Sequence, residues 1–379
     1  MSGLLVVSGE ASGDRAAAAV LDQLGRPAAF GLGGAASAAA GVELVGDMRD
    51  WTALGVGEAA LRGGRVWQAW RAVVRAAQKR RPSAALLVNY TEFNARLAPR
   101  LHARGVRVLW YGAPQVWAWR AGRIAALRPS IDRLAVMLPF EEALWRKAGV
   151  DAHYVGHPAL EVPAQDHAAA RETLGLTPLA ATVALLPGSR PHEVRNLLVP
   201  MLEGYETVRN DRASVDARVL VASSLDPATR AWLRETCASR GATTFDVDPR
   251  EGAGSVLRAF DVALCASGTA SLEAALARAV PIVAYRVGLV TELTARAFVR
   301  TPHVALPNVL LGRRAFPELL QRDACAPRIA IALADVLDRR GALLADCDAV
   351  EACLLQASQP SRQVARMLAP WLAAGARAA

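Results

Sequence analysis

The sequence is short of cysteine and histidine and has no long apolar run, and each shortage removes a class of protein. Its five cysteines, Cys237, Cys265, Cys325, Cys347 and Cys353, are odd in number, confined to the C-terminal half and without a CxxC pair. That pattern argues against a disulfide scaffold or a zinc site and fits a reducing cytoplasm. None of the six histidines forms HExxH or another metal pair, so no metal is expected. The apolar stretch Leu4 to Val7 is too short for a signal peptide or a membrane span. Nowhere else do about eighteen uncharged apolar residues follow one another. A membrane role would therefore put the protein on the bilayer rather than through it. What is present is material for a large core: 379 residues, 53% of them hydrophobic, more than one hydrophobic core usually serves and enough for two domains. The formal charge of +9 draws such a surface towards polyanions: nucleic acid, anionic headgroups or phosphorylated substrates.

Short apolar runs alternate with longer helical stretches. They are Leu4–Ser8, Ala84–Val88, Val106–Tyr111, Arg133–Leu138, Val183–Leu186, Arg218–Val221, Asp261–Cys265 and Pro281–Ala284. Buried parallel strands read this way when helices cover both faces of a sheet. The expected fold class is α/β, with two Rossmann-like doubly wound domains facing each other across a cleft. A Gly-, Pro- and charge-rich gap at Val155–Leu176, which includes Gly156-His157-Pro158, marks the junction. The expected division is residues 1–160, residues 161–340 and an Ala-rich helical tail at 341–379. Ligands of such domains bind beyond the C-terminal ends of strands, so the loops after these runs are the places to look.

After the first run comes Ser8-Gly9-Glu10-Ala11-Ser12-Gly13-Asp14, in which two glycines permit tight turns and Ser12 or Asp14 is expected to cap the following helix. An ordinary strand-to-helix turn reads the same. The fifth run ends in Pro187-Gly188-Ser189-Arg190, followed by Glu193: free amides at a helix start, a hydroxyl and a guanidinium suit a diphosphate. The Gly-Lys-Ser/Thr ending of a Walker loop is missing, and a plain surface pair of Arg190 with Glu193 is the bland reading. Ser267-Gly268-Thr269-Ala270 follows the seventh run, with Glu273 one helical turn on, where a carboxylate can bind ribose hydroxyls or merely cap the helix. Two such loops in one domain point to a nucleotide sugar.

Two further segments carry aromatics and cations. Trp67, Trp70 and Val74 recur at helical spacing among Arg71, Arg75, Lys79, Arg80 and Arg81, with Leu54 and Val56 just upstream. A basic amphipathic helix of this kind suits an anionic membrane surface, or else packs its rings in a core. Trp110 to Arg120 is dense in rings beside an arginine, but no nucleic-acid signature accompanies it, so no nucleic acid is expected as a partner.

Taken together, SGEASGD, YGAPQVWAWR, LPFEEALW, VGHP, LPGSRPHEV, ASGTASLEAAL, PIVAYRV and LPNVLLGRRAFPELLQ resemble the lipid-A-disaccharide synthases, inverting glycosyltransferases of the GT-B type. The resemblance spans roughly residues 5 to 322. It implies a UDP-2,3-diacylglucosamine donor, a 2,3-diacylglucosamine 1-phosphate acceptor and a β-1,6-linked disaccharide with release of UDP. No cofactor or metal is implied, since the UDP-sugar is a substrate. It also implies a cytoplasmic protein held peripherally at the inner face of the inner membrane; the oligomeric state stays open, a homo-oligomer included. Gly188, Ser189 and Arg190 match the family's donor-phosphate loop, and Ser267, Gly268, Thr269 and Ala270 with Glu273 match its second nucleotide loop. Asn308 matches a polar position facing the donor, and Ser12 of the first loop is counted with the binding residues.

One position departs from the family pattern. Where the family reads Asp-x-Pro-Asp-Phe-Asn, with the first Asp the favoured base, this chain reads Asn89-Tyr90-Thr91-Glu92-Phe93-Asn94. An amide cannot take the proton of the attacking hydroxyl. Either Glu92 or Glu10 supplies the carboxylate, with Glu92 preferred because it keeps an acid in the same loop, or phosphate stabilisation by Arg190 outweighs the base, or the activity is altered. The competing functions are a UDP-N-acetylglucosamine 2-epimerase-like enzyme and a catalytically altered paralogue that only binds a UDP-sugar.

Overall fold

The computed structural model describes residues 3–48, 59–118, 122–163, 165–177, 179–212, 214–286 and 301–377. The chain forms two compact units, Met1–Glu161 together with Leu354–Ala379, and Val162–Cys353. Among the described residues the strands build one sheet in each unit, and every strand pairing is parallel.

In the first unit the elements run β1 (Leu4–Ser8), α1 (Ala11–Gln23), β2 (Ala29–Gly33), α2 (Ala35–Ala39), β3 (Val42–Asp47), α3 (Ala59–Arg80) and β4 (Ala84–Val88). They continue with α4 (Thr91–His102), β5 (Arg107–Tyr111), α5 (Arg123–Leu127), β6 (Arg133–Val136), α6 (Pro139–Lys147) and β7 (Ala152–Tyr154). The strand order is β3-β2-β1-β4-β5-β6-β7, so the winding reverses between β1 and β4. Alternation along β1 explains why both faces need cover. Leu5 and Val7 join Phe30, Leu87, Leu97, Trp110 and Trp145 in one core, while Leu4 and Val6 join Val20, Leu21, Leu86 and Leu109 in the other. Each such side chain, buried from water, contributes about 1.5–3 kcal/mol. Gly31 is demanded by close approach: a Cβ there would run into the Val6 carbonyl, next to the register shift between Gly31 and Leu32.

The second unit holds α7 (His167–Thr173), β8 (Ala181–Leu186), α8 (Pro191–Asp211), β9 (Val215–Val221), α9 (Pro227–Ser239), β10 (Thr244–Asp246), β11 (Val262–Ala266), α10 (Thr269–Leu276) and β12 (Val280–Tyr285). After these come α11 (Leu306–Leu311), β13 (Glu318–Leu320) and α12 (Ala326–Leu354). Its order is β10-β9-β8-β11-β12-β13, reversing between β8 and β11.

The expected tail at 341–379 is divided by the fold. Helix α12 stays with the second unit up to Cys353, whereas α13 (Pro360–Arg377) belongs to the first. Val364 and Leu368 of α13 complete the core on the α1 side of the first sheet. The start of α13 is fixed by Glu161, which accepts Ser361 Oγ at 2.7 Å and the Ser361 amide at 3.2 Å. Arg133 Nη1 donates to the Met367 carbonyl further along it, at 2.7 Å. His157, in the Gly-His-Pro turn before Glu161, is buried; burial lowers its pKa to about 4, and its Nδ1 accepts the Ala159 amide.

Candidate active site

Where strand order reverses, the loops on either side leave a crevice at the C-terminal edge of the sheet. In the first unit that edge gathers Ser8-Gly9-Glu10 after β1, Asn89-Tyr90 after β4 and Gly112 after β5. Asn89 and Tyr90 are both left-handed, with φ of 47° and 39°, a conformation Asn tolerates better than most residues. The Asn89 carbonyl receives Trp110 Nε1 at 3.2 Å and Asn94 Nδ2 at 3.0 Å, and the Asn89 amide donates to Tyr111 at 2.9 Å. Its side-chain amide lies over Gly112, where a Cβ would collide with it, and close to Gly13. Gly9 is likewise covered by the Tyr90 ring, which stacks on Phe93 at 5.1 Å.

The two carboxylates proposed in place of an aspartate lie differently. Glu10 is the partly buried residue before α1 and makes no side-chain cap to it. Glu92 is exposed on the first turn of α4, and Arg123 Nη1 and Nη2 donate to its two oxygens at 2.6 and 3.0 Å.

Ser12 is partly exposed in the first turn of α1. Asp14, expected to cap α1, is instead buried and turned away to the neighbouring loop. Its carboxylate accepts the amides of Gly34 at 2.8 Å, Ala36 at 2.9 Å and Ser37 at 3.2 Å, with the hydroxyls of Ser37 and, at 3.4 Å, Ser8. A carboxylate stabilises the start of α2 through the free amides there. The sequence could not show this, because the partners lie some twenty residues further on.

In the second unit, Gly188-Ser189-Arg190 follows β8 and Ser267-Gly268-Thr269-Ala270 follows β11. These strands are hydrogen-bonded neighbours with Leu186 opposite Cys265, so the two turns emerge side by side. Glu193, buried in the first turn of α8, accepts the amides of Ser189 and Arg190 on Oε2 at 3.1 and 3.3 Å and Arg190 Nη1 on Oε1 at 3.2 Å. Gly188 has φ of 125°, and a Cβ there would strike Glu193. Tyr285, at the end of β12, has its hydroxyl pKa raised by burial and by the Glu193 carboxylate, with Arg190 opposing.

Gly268, φ 143°, opens the second turn, and a Cβ on it would meet open space. Ser267 Oγ reaches the Val304 carbonyl at 3.4 Å, and Thr269 and Ala270 are partly exposed at the start of α10. Glu273 is buried near Cys265, whose thiol is pushed up to about 12 by burial and then by that carboxylate. Asn308 is fully buried and does not present its amide outward. Its Nδ2 donates to Phe316 O at 2.9 Å and Glu318 Oε1 at 2.8 Å, and its Oδ1 accepts the amides of Ala315 and Phe316 at 3.0 and 2.9 Å. The donor-facing role implied by the resemblance gives way to tying helix α11 to the segment at residues 315–318 that follows it. Glu318, which sequence reasoning passed over inside FPELLQ, also accepts the amides of Val304 and Ala305, just before α11.

The aromatic segments split. On α3, Ala69, Val73 and Ala77 are core, Trp70 packs against it, and Trp67 is 54% exposed with Arg71 4.4 Å over its ring. Leu54 and Val56 lie outside the described residues, as do Trp119 and Arg120. Trp110 is buried, whereas half-buried Trp117 donates Nε1 to Glu141 at 3.0 Å and meets the Phe140 ring edge-on at 5.2 Å. Among the described residues no group of three or more His, Cys, Asp or Glu side chains is placed to hold a metal ion, and no helix is long and apolar enough to cross a membrane. A cavity of about 460 Å³ lined by Arg209, Arg212, Asp216 and Thr243 opens at the N-terminal ends of β8 to β10, the opposite edge from the turns.

Known proteins resemble this chain in sequence and in fold. A family model described as lipid-A-disaccharide synthetase matches residues 4–365. The lipid-A-disaccharide synthase of Myxococcus xanthus is 44% identical, covering 86% of each chain, and that of Anaeromyxobacter dehalogenans 41% identical, covering 89% of each. The solved spinosyn rhamnosyltransferase SpnG superposes with a TM-score of 0.57 over 96% of this chain and 99% of its own, at 14% identity, a likeness of GT-B fold alone. On the family match and these identities, the chain belongs to the lipid-A-disaccharide synthase family of glycosyltransferases, which form the lipid A disaccharide.

Proposed function

We propose that this chain transfers the sugar of UDP-2,3-diacylglucosamine to the 6-hydroxyl of 2,3-diacylglucosamine 1-phosphate, with inversion, releasing UDP. The observation that carries the donor assignment is the pairing of two turns at the β8/β11 reversal, one with a guanidinium and both with helix-start amides and hydroxyls. Departure of UDP needs negative charge stabilised at the diphosphate as the glycosidic bond breaks. Arg190 and the amides at the start of α10 are suited to that. Glu273, one turn into α10, is assigned to the ribose hydroxyls.

The acceptor hydroxyl must lose its proton as its oxygen attacks the anomeric carbon. Asn89 cannot accept it. Of the two candidate acids, Glu10 is assigned as the base on its place at the β1/β4 reversal, the edge of the sheet where Asn89 also lies. Exposed Trp67 with Arg71, Arg75 and Lys79 on one helix supports a peripheral attachment to an anionic membrane, at the inner face of the inner membrane.

The test is turnover of the two lipid precursors, followed by UDP release and mass analysis of the product. A disaccharide 1-phosphate product is expected, with the rate reduced about a hundredfold or more in Arg190→Ala, the scale of losing one group that stabilises developing charge. An unaltered rate and unaltered UDP affinity in that variant would remove Arg190 from the donor site.

A further inference from the structure

We infer that Glu193 is a built-in rival of the donor's diphosphate, holding the amides and guanidinium of its turn when no nucleotide is bound and loosening the grip on UDP after transfer. The inference rests on the reading that Arg190 and its turn hold the diphosphate.

An acid at the third position of a helix ordinarily reaches back to a single amide, that of the residue before the helix. Glu193 does more. Its Oε2 accepts the amides of both Ser189 and Arg190, and its Oε1 takes Arg190 Nη1 at 3.2 Å. Those three donors are the kind that a phosphate uses at a helix start, so one buried carboxylate covers the anion-binding face of the turn. The backbone accommodates it: Gly188 must lack a Cβ because Glu193 fills the space, so this glycine admits the protein's own carboxylate. Tyr285, at the end of β12, feels both Glu193 and Arg190, which puts all three groups in one electrostatic neighbourhood.

A diphosphate arriving there meets a fixed negative charge and shares its donors. The effect is double. Arg190 is oriented before the donor arrives, and the net attraction for UDP is lowered, which favours release of the product.

Glu193→Gln separates the charge from the geometry. Glutamine has the same length and also serves in a capping box, so the turn keeps its bond to the Arg190 amide while the negative charge is gone. Calorimetry with UDP, inorganic pyrophosphate and uridine as probes is the experiment. UDP and pyrophosphate should bind about two- to fivefold more tightly to Glu193→Gln, the range expected for removing one partly exposed charge pair, while uridine is unmoved. Glu193→Asp, which keeps the charge but withdraws it by one methylene, should tighten UDP by a smaller factor, and carries the test should the glutamine variant fail to fold. Unchanged or weaker UDP binding in the variants overturns the inference, as does an equal shift for uridine. Arg190→Ala serves as the reference. If it leaves UDP affinity untouched, the donor-site reading itself fails; if it weakens UDP while Glu193→Gln does not tighten it, only the role of Glu193 falls.

Discussion

Arg123 grips both oxygens of Glu92, at 2.6 and 3.0 Å, and so ties α4 to α5 with the acid that sequence reasoning preferred as base. A carboxylate held by a guanidinium fork is a poor proton acceptor unless it first lets go. Glu10 stands where the first sheet reverses, on the same edge as Asn89. Glu10→Gln should therefore lower turnover by about a hundredfold or more, and Glu92→Gln by less than about threefold, in initial rates of UDP release. The reverse order returns the role to Glu92. Full activity in both variants would leave no carboxylate base among these candidates.

Asp14 makes a prediction about stability rather than chemistry. Asparagine offers one acceptor oxygen where the carboxylate offers two, and turns an N–H₂ group towards donors at Ala36 or Gly34. With the site buried, Asp14→Asn should destabilise the first unit by about 2–3 kcal/mol, read from denaturant midpoints. A change below half of that would mean that water or a backbone shift replaces the lost acceptor.

The backbone frame was legible where apolar runs were long and unbroken. Leu4–Ser8 and Ala84–Val88 are strands with the bounds expected, and the turns after β1, β8 and β11 sit at the strand ends where ligand loops were sought. Ala29–Gly33, with two glycines, and the three-residue strands β7, β10 and β13 carry too little pattern for any run to be seen. Side-chain roles were less legible, because they depend on which segments the fold brings together. Asp14 and Asn308 both sit in recognisable motifs, yet each directs its polar atoms into the protein, towards amides that no local spacing announces. Glu193 shows the opposite situation: its pairing with Arg190 was foreseen as a bland surface contact, but burial makes it the carboxylate nearest the expected phosphate amides.

Asn308 gives a direct comparison of two roles. If it ties α11 to the segment after it, Asn308→Ala leaves two amides, a carbonyl and the Glu318 carboxylate short of partners, and stability should fall by about 2–4 kcal/mol. The variant that remains folded, assayed at low temperature, should bind UDP within about threefold of the parent, since no bond to the ligand is lost. A tenfold loss of UDP affinity without loss of stability would restore the donor contact.

Glu141 links pH to stability. Its carboxyl is 2% exposed at the start of α6, and burial raises its pKa from 4.5 to about 7 despite hydrogen bonds from Trp117 Nε1 and the Leu138 amide. The folded chain thus holds a proton that the unfolded chain releases nearer pH 4.5, so stability from this group is fully present below that pH and is lost as pH rises through about 7. A shift of this size corresponds to about 3 kcal/mol. Glu141→Gln cannot ionise. The stability difference between variant and parent should therefore move in favour of the variant by about that amount from pH 4.5 to pH 8 and level off above it. Denaturant titrations across this range, with Trp117→Phe in parallel to remove the indole donor, provide the measurement. A difference that stays flat with pH would mean that Glu141 titrates like an exposed acid and that its burial does not desolvate it.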